Sequence, residues 1–316
     1  MIITLTDSDT RDIARELVRR RDDGGMVTTG RVLTLVVLAD GDDDLESIIA
    51  TANEVSREHP ARVLMLVSES RDGDNRLDAE IRLGGDAGVG EIIVMHLAGK
   101  IGDHPEAVVM PLLLPDTPVV AWWPTTPPVT PSETEIGALA QRRITDMRAS
   151  KRHNPLEVRR NAYRPGDSDL CWSRLTAWRG VLASVLDLPP HEPITGVTIT
   201  GAADNPSVDL AAGWLADRLS LRVRRTISED PAANDPHRVP VTRVHLQRPT
   251  RDIVVETVDE ETAQVCIGDR PPFRVAVSAR PEVDCLAEEL RHLDPDQAYA
   301  RALRGLSRVD RSTGVK

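Results

Sequence analysis

The sequence predicts an α/β protein of two mixed domains, the first containing a βαβ unit. Residues 32–38 and 61–67 are nearly unbroken runs of β-branched and leucine residues, the pattern of strands buried on both faces. Between them Leu45, Ile48, Ile49, Ala52 and Val55 recur at helical spacing. Strand, helix and strand in about 35 residues implies a parallel pair joined by a crossover. From Arg148 to Gly166 this patterning fades into basic residues, Asn, Pro and Gly. The chain therefore divides into an N-terminal domain over 1–150, a basic linker over 151–166 and a C-terminal domain over 167–316.

The first helix is expected over 9–22, stopped by Gly24-Gly25. Asp40, Asp42, Asp43 and Asp44 follow the first buried strand at a helix start, where carboxylates complement the helix dipole. Strands are expected over 77–83 and 91–97, joined tightly through Gly84-Gly85-Asp86-Ala87-Gly88. A helix over 105–114, a strand over 119–123 and a short helix over 134–141 complete the first domain. The second opens with a helix after Asp167-Ser168-Asp169, with Cys171, Leu175, Trp178, Leu182 and Val185 as its apolar stripe and Pro189-Pro190 as its stop. A strand over 194–201 leads through Asn205-Pro206-Ser207 into a helix carrying Leu210, Ala211, Trp214, Leu215 and Leu219. Strands near 221–225, 242–248, 252–259, 262–267 and 274–277 suggest a mixed sheet, and helices near 283–292 and 296–306 close the chain.

Composition narrows the function. With 40% hydrophobic and 28% charged residues, the chain is ordinary for a soluble globular protein. No apolar run is long enough to span a membrane, and no basic-then-apolar leader opens the sequence, so a cytoplasmic protein is expected. A net charge of −11 argues against general nucleic-acid binding. Three cysteines, widely spaced and odd in number, form no metal or disulfide pattern. The eight histidines show no HExxH and no i, i+4 pair, and five lie at or near proline, so no metal site is expected.

Phosphate loops and nucleophile elbows are missing. The glycine cluster at 84–90 lies between two strands, with no helix N-terminus to hold a phosphate. The connection from Gly201 to Ser207 runs from strand to helix and is better placed, but it lacks a lysine and a second glycine. No catalytic residue and no cofactor is assigned.

The most informative segment is V-V-A-W-W-P-T-T-P-P-V-T-P, residues 119–131. Aromatic residues make up 3% of the chain, yet two of the five tryptophans stand together here, and proline fixes the backbone beyond them. An apolar strand running into a stiff loop loses little entropy on binding. Arg142 and Arg143 then open a basic stretch to Arg164 in which eight basic residues meet two acids. It reads as a solvated connector or as a docking strip for an acidic or phosphorylated partner. Trp172, Trp178 and Trp214, on or beside helical stripes, read as core, with Arg174 and Arg179 lying along the first stripe.

Several blocks match a known family in order: TTGRVLTLVV (28–37), EHPARV (58–63), LDAEIRLGGDAGVGEIIV (77–94), LLLPDTPVVAWWP (112–124), ALAQRRITDM (138–147) and AGWLADRL (212–219). Through them the chain resembles the OpcA family of glucose-6-phosphate dehydrogenase assembly proteins. The resemblance implies a non-enzymatic partner of that dehydrogenase that promotes its oligomeric assembly and raises its activity. On this expectation Trp122, Trp123 and the loop with Pro124, Pro127 and Pro128 form an anchor for the partner, with Arg142 and Arg143 as polar contacts. Alternation offers another role for the pair, one ring in the core and one covering a loop. The rival to a binding protein is an enzyme or sensor holding a sugar phosphate or nucleotide between the two domains.

Overall fold

The computed structural model describes residues 1–22, 31–85, 88–152, 154–189, 191–235 and 237–311. The expected glycine stop at 24–25, the centre of the glycine connection near 86–87 and Pro190 lie outside the described residues. The architecture is α/β in two compact units, each built on one mixed sheet.

The first unit takes residues 1–150, 166–168 and 282–295. Its strands are β1 (Ile2–Leu5), β2 (Leu33–Asp40), β3 (Ala61–Ser68), β4 (Arg76–Gly85), β5 (Gly88–Ala98), β6 (Val119–Trp123), β7 (Arg142–Thr145) and β8 (Asp167–Asp169), in the order β1-β4-β5-β3-β2-β6-β7-β8. β5, β3, β2, β6 and β7 run parallel; β4 is antiparallel to β5, and β1 to β4. The order reverses at β2, whose neighbour on one side is the next parallel strand in the chain and on the other is β6, added later.

Helices α1 (Thr10–Asp22), α2 (Leu45–Glu58), α3 (Pro105–Val109), α4 (Glu135–Leu139) and α9 (Glu282–Arg291) belong to this unit. One face of the sheet gathers Val36, Leu64, Met95, Ala121 and Trp123 with Ile13 and Leu17 of α1 and Ile136 of α4. α2 packs against β5 and against α9. The helix expected over 105–114 is α3 followed by a 3-10 turn over Met110–Leu112. Pro111 cannot donate to an α-helical ladder there.

The second unit takes 151–165, 169–281 and 296–316. Its sheet orders β14 (Phe273–Ala276), β13 (Thr262–Ile267), β12 (Ile253–Thr257), β11 (Val241–Gln247), β9 (Gly196–Gly201), β10 (Val223–Ile227) and β15 (Val309–Arg311). β9, β10 and β15 are parallel and the other four form an antiparallel meander onto β9. The helices are α5 (Pro155–Ala162), α6 (Leu170–Ser173), α7 (Thr176–Leu186), α8 (Pro206–Leu219) and α10 (Gln297–Gly305). The long helix expected after Asp169 is broken in two. Asp169 caps α6 through Cys171 N at 2.9 Å, and α6 ends at Ser173, two residues before the N-cap of α7 at Leu175.

The unit boundaries differ from the expected ones in two respects. Residues 151–165 are not a linker: they carry α5 and belong to the second unit. Residues 282–295 leave the second unit and complete the first. Among the described residues no helix is long and apolar enough to cross a membrane.

Candidate functional site

In open α/β sheets, ligands bind outside the carboxyl ends of the strands where the strand order reverses. In the first unit that place lies between β2 and β6, and the proline-rich segment emerges there. β2 ends at Asp40, and the turn after it carries Asp42, Asp43 and Asp44 into α2. Asp44 caps that helix by accepting from Ser47 N at 3.2 Å. Asp43 Oδ2 accepts from Asp40 N at 2.8 Å and from Thr125 Oγ1 at 2.7 Å. Thr126 Oγ1 donates to Asp40 Oδ2 at 3.1 Å. On the next strand ends, Glu69 Oε1 meets His96 Nδ1 at 2.8 Å.

The loop after β6 is thus fastened across the switch point by two threonines on two aspartates. A phosphate approaching here meets carboxylates and a helix N-terminus already capped by its own aspartate. Nucleotide-binding folds offer glycine and open N–H groups at this position. The geometry is that of a loop tied down by side-chain hydrogen bonds and not of a phosphate pocket.

The structure sorts the expected anchor residues by depth. Trp122 is fully buried, and its cross-strand partner is Val37. Trp123, on the opposite pleat, is 5% exposed and belongs to the cluster with Val36 and Leu64. Alternation does send the rings to opposite faces, but both enter the core, so neither reaches outward as an anchor in this conformation. Pro124 and Pro127 are buried and Pro128 is half-buried. Thr126 and Val129 are the residues of the loop that lie exposed. The loop returns to the body at α4, where Thr134 Oγ1 accepts from Gly137 N at 3.0 Å. A Cβ at position 137 would come within 1.7 Å of Pro131 O, so only glycine lets the helix approach the loop backbone this closely.

Arg142 and Arg143 do not join this loop. β6 and β7 are parallel, and the arginines pair with Val120 and Ala121 at the start of the strands, away from the carboxyl end. Both are buried. Arg142 forms an ion pair with Glu289 on α9 and donates to Asp294 O at 2.8 Å; Ser168 Oγ also bonds Glu289. Arg143 Nε pairs with Asp167 at 2.6 Å and its Nη1 donates to Ala140 O at 2.7 Å. Neither a solvated connector nor a docking strip describes these two residues: they are internal cations that bind β7 to its neighbours. Arg159 is buried on α5, and Arg160 lies 3.5 Å from Glu157 on the same helix.

The strand-to-helix connection at Gly201–Ser207 is also closed. Arg225, from β10, donates to Gly201 O at 3.3 Å, to Ala203 O at 3.2 Å and to Ala202 O, and lies 3.7 Å from Asp209. Asn205 caps α8 by accepting from Ser207 N at 3.0 Å. Burial holds the Asp209 carboxyl above its ordinary range against the pull of Arg311 and Arg225, and burial pushes the Arg225 guanidinium down. Trp172 and Trp178 are core, as expected; Trp214 is half-buried. The Trp172 indole donates to Asp296 at 2.8 Å, and the Arg179 guanidinium lies 3.8 Å over its ring.

The residues that shape the switch point, Asp40, Asp43, Thr125 and Thr126, were legible only in part. The aspartates stood out as a helix start, whereas the threonines carried no signal beyond their place among prolines.

Two family models match the chain in order. The N-terminal domain of a glucose-6-phosphate dehydrogenase subunit matches residues 52–161, and the C-terminal domain of that subunit matches 165–303. The chain belongs to the OpcA family. The break between the two OpcA models falls at the end of α5 and so near one of the structural boundaries. The C-terminal model continues through α9, which the fold assigns to the first unit. No curated protein matches the sequence. Among solved structures, the chain is similar to a crystal structure of glucose-6-phosphate 1-dehydrogenase from Mycobacterium avium, at 10% identity over 89% of this chain and 94% of that one. The TM-score is 0.39, and at that distance the likeness carries no argument.

Proposed function

We propose that this OpcA-family chain is a non-catalytic subunit that binds glucose-6-phosphate dehydrogenase in the cytoplasm and favours its active oligomer, raising flux into the oxidative pentose phosphate pathway. The ordered match of both subunit domains over 52–161 and 165–303 carries the reading. The carboxyl edge of the first sheet supports it. Its two threonine–aspartate bonds present the loop at 124–131 as a fixed surface, and its carboxylates discourage a phosphorylated substrate. A preformed surface spends little binding energy on ordering. A protein that prefers the active form shifts the population toward it, and a tenfold shift needs about 1.4 kcal/mol of differential affinity.

In this reading Trp122 and Trp123 act from below, fixing the strand from which the loop projects, while Thr126 and Val129 meet the partner. The test is to add an equimolar amount of this protein to the purified dehydrogenase and follow activity and sedimentation together. An increase in both is expected. If neither changes, the assembly role is wrong. Val129→Asp, on the surface, should weaken the effect about tenfold while leaving the melting curve unchanged. Full retention of the effect would place the docking face elsewhere.

A further inference from the structure

We propose that the chain pairs with a second copy of itself through β1 and α1, extending the first sheet across a two-fold axis. Four strands end the two sheets. β8 (Asp-Ser-Asp) is buried, β14 carries Arg274 and follows Pro271-Pro272, and β15 carries Asp310 and Arg311. Charges, prolines and cover of this kind are how edge strands avoid pairing. β1, Ile-Ile-Thr-Leu, carries no charge or proline, and among the described residues it pairs with β4 alone. Met1 and Ile2 are 67% and 63% exposed, while Ile3 and Leu5 pack toward the core.

An antiparallel copy related by an axis normal to the sheet keeps each face on its own side, so residues opposite one another must share parity. Ile3 then faces Ile3 of the second copy, and Ile2 faces Thr4. The outer and core faces both continue unbroken.

The helix beside this edge obeys the same symmetry. A cleft of ≈ 590 Å³ opens between β1 and α1, and the helix lines it with Asp12, Arg15, Glu16 and Arg19. These positions share one helical face and alternate in sign. Laid antiparallel about a midpoint between Arg15 and Glu16, two copies set Asp12 opposite Arg19 and Arg15 opposite Glu16. Every charge of the stripe meets its opposite. Within one chain these side chains are already held by Arg15–Asp12 at 2.7 Å and Arg19–Glu16 at 3.5 Å, with Arg20 beside them at 2.7 Å from Glu16, so little order is lost when the copy arrives. The chain's net charge of −11 opposes self-association in general, but this stripe is locally balanced.

Sedimentation equilibrium of the untagged full chain at near-physiological ionic strength tests the proposal. A reversible dimer is expected. Ile2→Lys with Thr4→Lys sets like charges opposite each other across the axis and should leave a monomer. Arg15→Glu should raise the dimer dissociation constant about tenfold or more, and Arg15→Glu with Glu16→Arg should restore it. Restoration by the charge swap separates an intermolecular pair from a loss of helix stability. The proposal is overturned by a monomer at every concentration up to about 100 μM. A dimer indifferent to the strand variant, or an Arg15→Glu defect that the swap leaves unrepaired, also overturns it.

Discussion

Trp122 and Trp123 show how one dipeptide can serve two cores. β6 is buried on both faces, so its adjacent rings enter opposite sides of the sheet, and each fills space that no smaller residue would. Trp123→Ala should cost about 3–5 kcal/mol, read as a fall in the urea midpoint. A fall of less than about 1 kcal/mol would mean that the ring is not packed as described. The Arg142–Glu289 pair is the polar counterpart. Glu289→Ala leaves a guanidinium buried without its carboxylate and should cost about 3–5 kcal/mol, whereas replacing both partners by apolar residues of similar volume should cost much less. Equal losses in the single and double variants would remove the ion pair as the cause.

Asp209 gives the pH-dependent case. Its carboxyl is raised by burial, so the folded chain holds the proton more tightly than the unfolded chain. This contribution is greatest below the unfolded carboxylate pKa and is lost as pH rises through the folded value. Asp209→Asn should flatten the urea midpoint against pH above the ordinary carboxylate range, where the native chain loses this contribution. A profile parallel to that of the native chain would contradict the assignment.

At the scale of elements, legibility followed pattern strength. The strands at 119–123 and 262–267 emerge with the expected ends because apolar or alternating residues stop sharply at Pro124 and Gly268. β7 was hidden because two of its four residues are arginines, and nothing local reveals that Glu289 and Asp167 neutralise them from distant parts of the chain. α5 was lost for the same reason: Arg159 occupies the inward position where an apolar residue would have marked the helix. β1, β8 and β15 are too short to establish a period. The burial of both Trp122 and Trp123 was hidden, since sequence supplies the alternation of two rings but not the helices that cover both faces.

The α8–α10 crossing is another contact that periodicity could not reveal. A Cβ at Gly213 would stand 2.3 Å from Ala302 O, and one at Gly305 would stand 2.0 Å from Gly213 O. The helices meet backbone to backbone. Although Ala is the better helix former by about 1 kcal/mol, Gly213→Ala should lower the melting temperature by several degrees, because the backbones must part. A rise instead would show that the helices can separate freely.

For the whole molecule, the consequential feature is that the two units interleave along the chain. The first is closed only when residues 282–295 return, bringing α9 against α2 and Glu289 to Arg142. A cut at the apparent domain boundary therefore removes part of a core and not a neighbour. A fragment of residues 1–168 should leave the Arg142 guanidinium without its acid and one side of α2 without cover. It should unfold over a broad, weakly cooperative transition. Adding a peptide of residues 282–295 in trans should sharpen the urea transition and raise its midpoint. The same peptide with Glu289→Ala should do so much less. A fragment of 1–168 that unfolds as sharply as the full chain, with no response to the peptide, would show that the first unit does not need its returning helix. In that case the sequence-based boundary near residue 150 would be the physical one.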